Sequence, residues 1–295
     1  VSVGNITLGG TGKTPTVEWL ARWFAARGVN VGLVSRGYGA EPGRPNDEAL
    51  ELAEALPNVP HVLDRDRVRG ARRAIAEFGC QLIVLDDGFQ HRRIARDFDL
   101  VLIDALEPFG FGHLVPRGTL REPLAGWRRA DALLLTRVEQ VDAQRRQEIR
   151  EQALTIAPRA LWLEATHAPY ALRSHAGDQQ PLGSLAGKRV AAFCGIGNPA
   201  GFHGALARAR YELADTREFD DHYGYRDADV AELARWSDGL AIDAVLCTRK
   251  DLVKIGDRWR GDRPLWALAG RLEITSGLAA LEAALAPLAE RAAAS

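Results

Sequence analysis

The sequence contains no methionine and only three cysteines in 295 residues. Without methionine, Val1 is not a written start codon. The expectation is that a non-standard start was translated literally or that an N-terminal segment is missing. Cys80, Cys194 and Cys247 are odd in number, widely spaced and without metal-ligand spacing, so they read as small core residues of a reducing compartment. No apolar run reaches the roughly 18 residues of a spanning helix, and no signal peptide is visible. The net charge is −1, whereas a general nucleic-acid binder is usually basic overall, so nucleic acid is not an expected partner. Internal repeats are absent, and the only biased tract is the alanine-rich end. Lysine is scarce as well, with four residues against many arginines. What is present, 46% hydrophobic and 26% charged residues, is ordinary for a globular chain long enough for one large or two modest domains.

One of those four lysines lies in the stretch that organises the rest, Val1-Ser-Val-Gly-Asn-Ile-Thr-Leu-Gly-Gly-Thr-Gly-Lys-Thr-Pro15. An apolar run enters a glycine-rich turn, and a helical pattern with Val17, Leu20, Ala21 and Phe24 on one face follows Pro15. Strand, glycine loop, Gly-Lys-Thr and helix form the context that a nucleotide phosphate loop requires. Glycines let backbone N–H groups converge on phosphate oxygens, and the helix N-terminus adds partial positive charge. Lys13 can reach the β- and γ-phosphates, and the Thr14 hydroxyl can ligate Mg²⁺. Thr7 stands where the usual pattern opens with glycine.

Apolar runs predict strands over 29–35, 60–63, 81–85, 100–103 and 132–135, and helices over 46–56 (Asn46 as N-cap), 64–78 and 138–154. That alternation predicts an α/β class with a P-loop NTPase-like parallel sheet. The loop-like residues 167–185 read as a linker between a P-loop kinase domain, 1–166, and a second, smaller α/β lobe, 186–295. In that lobe, strands are expected over 189–193 and 244–248, with helices over 200–210, 228–237 and 277–294.

Ile83-Val84-Leu85-Asp86-Asp87 delivers two acids at a strand end, where a carboxylate can hold Mg²⁺ or its water beside the loop threonine. Gln90 and His91 follow just past that end, where ligands of such sheets bind; Gln90 suits a ligand or metal water, and His91 reads equally as a junction residue. Arg92, Arg93 and Arg96, and the basic run Arg65, Arg67, Arg69, Arg72 and Arg73, suit a solvated face or an anionic partner. Asp47-Glu48, Glu122 and Asp221-His222 are each, alone, a surface acid or helix cap. Phosphoryl transfer to a hydroxyl wants a carboxylate or imidazole near the acceptor oxygen, and composition does not choose among them.

Taken together, Gly4-Asn-Ile-Thr-Leu-Gly-Gly-Thr-Gly-Lys-Thr-Pro15, Val34-Ser-Arg-Gly-Tyr-Gly39, Asp47-Glu48, Leu85-Asp-Asp-Gly-Phe-Gln-His91 and Leu114-Val-Pro-Arg-Gly-Thr-Leu-Arg-Glu-Pro123 resemble the tetraacyldisaccharide 4'-kinase family. Gly195-Ile-Gly-Asn-Pro199, Phe219-Asp-Asp-His222 and Thr248-Arg-Lys-Asp251 carry the likeness through the second half. The resemblance implies an ATP- and Mg²⁺-dependent transfer to the 4'-hydroxyl of an acylated glucosamine disaccharide in lipid A synthesis. It implies that Thr7, Leu8, Gly9, Gly10, Thr11, Gly12, Lys13 and Thr14 bind ATP, with Lys13 catalytic. It also implies Asp47 as base with His222 as partner, Asp86 and Asp87 serving the metal and the transferred group, and Gln90 and Glu122 near the metal. Thr7 is how the family writes its loop. Asn46-Asp-Glu-Ala49 departs from the family's usual Gly-Asp-Glu-Pro, and the segment before Asp47 is short.

The resemblance further implies a peripheral place on the cytoplasmic face of the bacterial inner membrane, with an anionic surface as partner. The membrane-associating helix that family members carry ahead of the first strand is not in this sequence. That keeps a soluble protein, and a kinase of a soluble small molecule, as alternatives. A phosphate-loop nucleotide switch or metallochaperone is a third.

Overall fold

The computed structural model describes residues 1–37, 47–221 and 223–294, with Asp47 and Glu48 by backbone alone. The chain divides into two units, Val1–His167 with Leu272–Ser295, and Ala168–Arg271.

The first unit opens with β1 (Ser2–Asn5), α1 (Lys13–Ala25), β2 (Val31–Ser35), α2 (Asp47–Ala55), β3 (His61–Leu63), α3 (Arg67–Phe78) and β4 (Leu82–Asp86). It continues through β5 (Asp99–Asp104), β6 (Ala132–Thr136), α4 (Ala143–Ile156) and the first part of β7 (Leu161–Arg173). Its sheet runs β3-β2-β4-β1-β5-β6-β7, with every pair parallel. β1 sits between β4 and β5 although α1 leads on to β2, so the strand order reverses beside the glycine loop, the place where such sheets bind ligands. Alternate side chains serve opposite faces: Leu100 and Leu102 join one core cluster, Val101 and Ile103 the other. Covered on both sides, the strands are continuous apolar runs, as expected for parallel strands. Cys80 packs over β2 so closely that a Cβ on Gly32 would lie 2.6 Å from its sulfur.

The second unit adds β8 (Gln179–Pro181), β9 (Arg189–Cys194), α5 (Pro199–Arg208), β10 (Glu212–Glu218), α6 (Asp227–Asp238), β11 (Ala244–Thr248), α7 (Arg249–Ile255) and most of β12 (Leu265–Ser276). β10-β9-β11-β12 is again a parallel sheet. Cys194 packs with α5 on one face, and Cys247 with α6 and α7 on the other. All three thiols are buried, and burial pushes that of Cys194 up to about 12.

The division falls elsewhere than the sequence suggests. The closing helix α8 (Leu278–Ala293) buries Leu281, Leu285, Ala289 and Ala292 in the core of the first unit, and Trp23 donates to Glu282 at 2.9 Å. The segment taken for a linker holds the end of β7, which pairs antiparallel with β8.

Candidate active site

The loop starts where β1 ends. The Asn5 amide donates to the Thr7 carbonyl at 2.8 Å and to its hydroxyl at 3.2 Å, while Thr7 bridges to Leu120 and the Leu8 N–H donates to the Thr119 carbonyl at 2.7 Å. Thr7 is therefore extended and bonded, and nothing there calls for glycine. Gly9 and Gly12 do need to be glycine, with φ of 105° and 89°. Gly12 caps α1 without any side-chain acceptor, which leaves the first N–H groups of the helix for an anion. The back of the loop is pinned from neighbouring strand ends. Thr136 donates to the Thr11 carbonyl at 2.9 Å, and Arg137 joins the Gly10 carbonyl to the Asp104 carboxylate. Burial pushes the Asp104 carboxyl above its ordinary value, against the pull of Arg137.

Beside the loop, β4 ends in Asp86, which is 4% exposed and in register with Val3 of β1. Asp87 then takes φ 52°, an uncommon value for a residue with a side chain, and turns the chain back across β1. Two glycines permit this approach. A Cβ on Gly4 would lie 2.7 Å from Cβ of Phe89, and one on Gly88 the same distance from Cβ of Leu85. The turn aims Asp87 at three cations. Arg121 donates to it twice, at 2.8 and 2.9 Å; the Lys13 ammonium stands at 3.8 Å; Arg67, only 3% exposed, adds its field. Burial alone would raise the Asp87 carboxyl, but the Arg121 bonds and the charges of Lys13, Arg121 and Arg67 outweigh it and hold the group below its usual range. Asn5 sits beneath, with its side-chain oxygen accepting from Lys13 at 3.2 Å and its carbonyl from Arg121 at 2.6 Å.

Residues 1–288 match the family described as tetraacyldisaccharide-1-P 4'-kinase. The chain belongs to that family. A tetraacyldisaccharide 4'-kinase of Halothermothrix orenii is 39% identical over 282 residues, covering 86% of this chain and 73% of its own length. One from Anaeromyxobacter sp. (strain Fw109-5) is 37% identical over 311 residues, at 97% and 82% coverage. Among solved structures, the Aquifex aeolicus LpxK in complex with ATP superposes with a TM-score of 0.74 at 28% identity, covering 97% of this chain and 87% of that one. A nucleotide switch or metallochaperone is not favoured against a whole-chain kinase family match.

The other residues expected from the tetraacyldisaccharide 4'-kinase motifs fall into two groups. Gln90 and Glu122 join the cluster. The Gln90 amide donates to the Asn5 carbonyl and to Glu122, both at 2.9 Å, and Arg129 donates twice to Glu122, at 2.8 and 2.9 Å. Arg129 also lies over the Phe89 ring at 4.3 Å. Asp47 and His222, by contrast, lie outside the described side chains; next to His222, Asp221 would lie 2.9 Å from a Cβ on Gly197, so two second-half motifs meet. His91 is a junction residue, its N–H on the Gly88 carbonyl and its own carbonyl accepting from Arg96.

For a divalent metal the donors are hard oxygens. The Oε1 atom of Gln90 is buried and without a hydrogen-bond partner among the described residues, a group suited to a cation or its water. Thr14 and Asp86 are buried at the ends of the two flanking elements. Among the described residues no group of three His, Cys, Asp or Glu side chains forms a cage. Mg²⁺ keeps several waters and substrate phosphates as ligands, so one or two hard-oxygen donors from a protein are enough to hold it.

Asn5, Arg121, Arg129 and the Arg137–Asp104 pair carry the geometry and were not singled out from the sequence. Asn5 and Arg121 lie within quoted motifs, but nothing in their spacing reveals that Arg121 pairs with Asp87 and Asn5 or that Asn5 accepts from Lys13.

Proposed function

We propose that this chain transfers the γ-phosphoryl group of ATP to the 4'-hydroxyl of an acylated glucosamine disaccharide 1-phosphate, at the inner face of a bacterial membrane. The observation that carries this reading is the glycine loop and Lys13 facing the Asp87–Arg121 pair, inside a chain that matches the kinase family almost end to end. Thr14, Asp86 and Gln90 would hold Mg²⁺, with Glu122 acting through Gln90. When bound, the ion neutralises charge on the phosphates. Lys13 would turn from Asp87 toward the β- and γ-phosphates, and the loop N–H groups would cradle them. Asp87, kept ionised, orients Lys13 and Arg121. Asp47 and His222 are proposed, on the family motifs, to orient the acceptor hydroxyl and take its proton.

The deciding experiment is transfer of labelled phosphate from ATP to a purified acylated disaccharide. Transfer to that acceptor and none to water-soluble sugars is expected. Transfer to soluble sugars alone would replace this substrate class, and ATP turnover indifferent to any acceptor would sink the kinase.

A further inference from the structure

Of the arginines that the sequence offers to an anionic surface, Arg65, Arg69, Arg72, Arg73, Arg92 and Arg93 are exposed, and several are ion-paired within the protein. Arg67 is buried, Arg69 is bonded to Asp64 at 2.7 Å, Arg73 to Glu77 at 3.0 Å and Arg96 to Asp99 at 2.9 Å. Exposed apolar side chains gather elsewhere, on the segment between β5 and β6. There Leu106 is 49% exposed, Phe111 68%, Leu114 47% and Val115 48%, and Phe111 is the most exposed large apolar side chain among the described residues. Residues 111–117, Phe-Gly-His-Leu-Val-Pro-Arg, are all exposed and contain one arginine and no acid. Patches of this kind mark interaction sites.

The loop is built rather than slack. Most of its N–H groups are met from within: Gly112 to Phe109, Thr119 to Gly110, Leu120 to His113, Val115 to Leu120, and Phe111 to the Glu107 carboxylate at 2.9 Å. A backbone satisfied largely from within can enter a low-polarity layer with few donors stranded. Phe111 is held at φ 55°, a conformation bulky residues rarely take, and this turns an aromatic ring to solvent where packing would not ask for one. The loop is also clamped to the phosphate loop, through Thr7–Leu120 and the Leu8 N–H on Thr119.

We propose that this loop docks the protein on an anionic phospholipid bilayer. Phe111, Leu114 and Val115 enter the boundary between headgroups and acyl chains, and Arg117 meets the headgroup charge. The proposal deepens the kinase reading and rests on it for its purpose, since an acceptor bearing acyl chains resides in such a surface.

The test is sedimentation of the full chain with phosphatidylglycerol–phosphatidylethanolamine vesicles, without acceptor or ATP. Each large apolar side chain contributes about tenfold to partitioning. Phe111→Ser with Leu114→Ser should therefore weaken binding by roughly a hundredfold at low and high salt alike, whereas Arg117→Gln should act at low salt only. The three native thiols are buried, so Val115→Cys can carry an environment-sensitive fluorophore whose emission should shift to the blue on vesicles. Failure of the unaltered chain to bind, equal binding by the double variant, or an unshifted label overturns the proposal. So does a dimer of the unaltered chain that the double variant dissolves. Transfer to detergent-dispersed acceptor keeps the two readings apart. The double variant should retain it; if neither protein shows transfer, the kinase fails and the vesicle result stands. Loss in the double variant alone would assign the patch to the acceptor's own chains and overturn bilayer docking.

Discussion

Lys13→Ala separates a binding-site lysine from a structural one. In the resting protein Lys13 lies 3.8 Å from Asp87 and 3.2 Å from the Asn5 side chain. Two charges at about 4 Å attract by about 4 kcal/mol at an effective dielectric of 20. The Asp87 side chain is 37% exposed and remains bonded twice to Arg121, so solvent and the second cation leave about 1 kcal/mol or less for this pair. Against a γ-phosphate in transfer, loss of one positioned donor typically costs a hundred- to a thousandfold in kcat, about 3–4 kcal/mol. The variant should therefore unfold in urea nearly as the unaltered protein does, yet lose at least about a hundredfold in transfer at saturating ATP. Activity within a few-fold of normal would refute the assignment. So would a stability loss of several kcal/mol with turnover falling only as the folded fraction falls, because Lys13 would then be a structural ion-pair partner.

Three further outcomes follow from particular contacts. Gly4→Ala must push Phe89 away from a 2.7 Å approach, costing about 1–3 kcal/mol of stability and displacing Asp86–Gln90, so urea denaturation and transfer should both suffer; an unchanged midpoint would contradict the packing. His61 is held by burial at a pKa of about 4, below its ordinary 6.5. Its neutral form is thus favoured by folding, with that stability complete above pH 6.5 and lost as pH falls toward 4, by about 3 kcal/mol at most; His61→Gln should flatten urea midpoints across that window, and an unaltered pH slope would rule the effect out. Asp47→Ala, His222→Ala and the double variant should show similar losses in kcat with ATP affinity nearly unchanged, because residues that act as a unit are non-additive; single losses that multiply would make them independent.

The strands were legible where burial on both faces writes an unbroken apolar run, as in Leu82–Asp86 and Ala132–Thr136. β10 was not, because Glu212–Glu218 at the sheet edge is largely exposed and its polar composition hides the strand. The helix at the end was visible, but its home was not: the apolar stripe of α8 records that it is covered, not by which sheet. The glycine loop was legible because its chemistry is contiguous. Arg121, by contrast, reaches Asn5 and Asp87 from 116 and 34 residues away in sequence, and backbone pairing of residues 6–8 with 119–121 brings it there. The basic run around α3 was legible as a solvated face, since Arg65, Arg69, Arg72 and Arg73 are exposed, but nothing in it marked Arg67 as the one buried member whose charge acts on Asp87.

Asp86-Asp87 was read as a pair fit for metal or catalytic duty, and we propose that the two residues divide it. A general base works best when its pKa lies near the working pH, whereas Asp87 is held below its usual range by Arg121, Lys13 and Arg67 in spite of burial. A carboxylate so held is a poor proton acceptor and a good anchor. Its cost is visible in the backbone, since φ 52° is tolerated at a residue that must point back across β1. Phosphoryl transfer asks for little covalent chemistry and much placed charge, and the cluster around Asn5 meets that demand with two cations poised on one anion. A γ-phosphate arriving at the glycine loop would compete with Asp87 for Lys13, while Arg121 keeps Asp87 charged as the lysine turns. Proton acceptance then falls to some other group, and Asp47 and His222 are proposed for the acceptor hydroxyl on the family motifs alone.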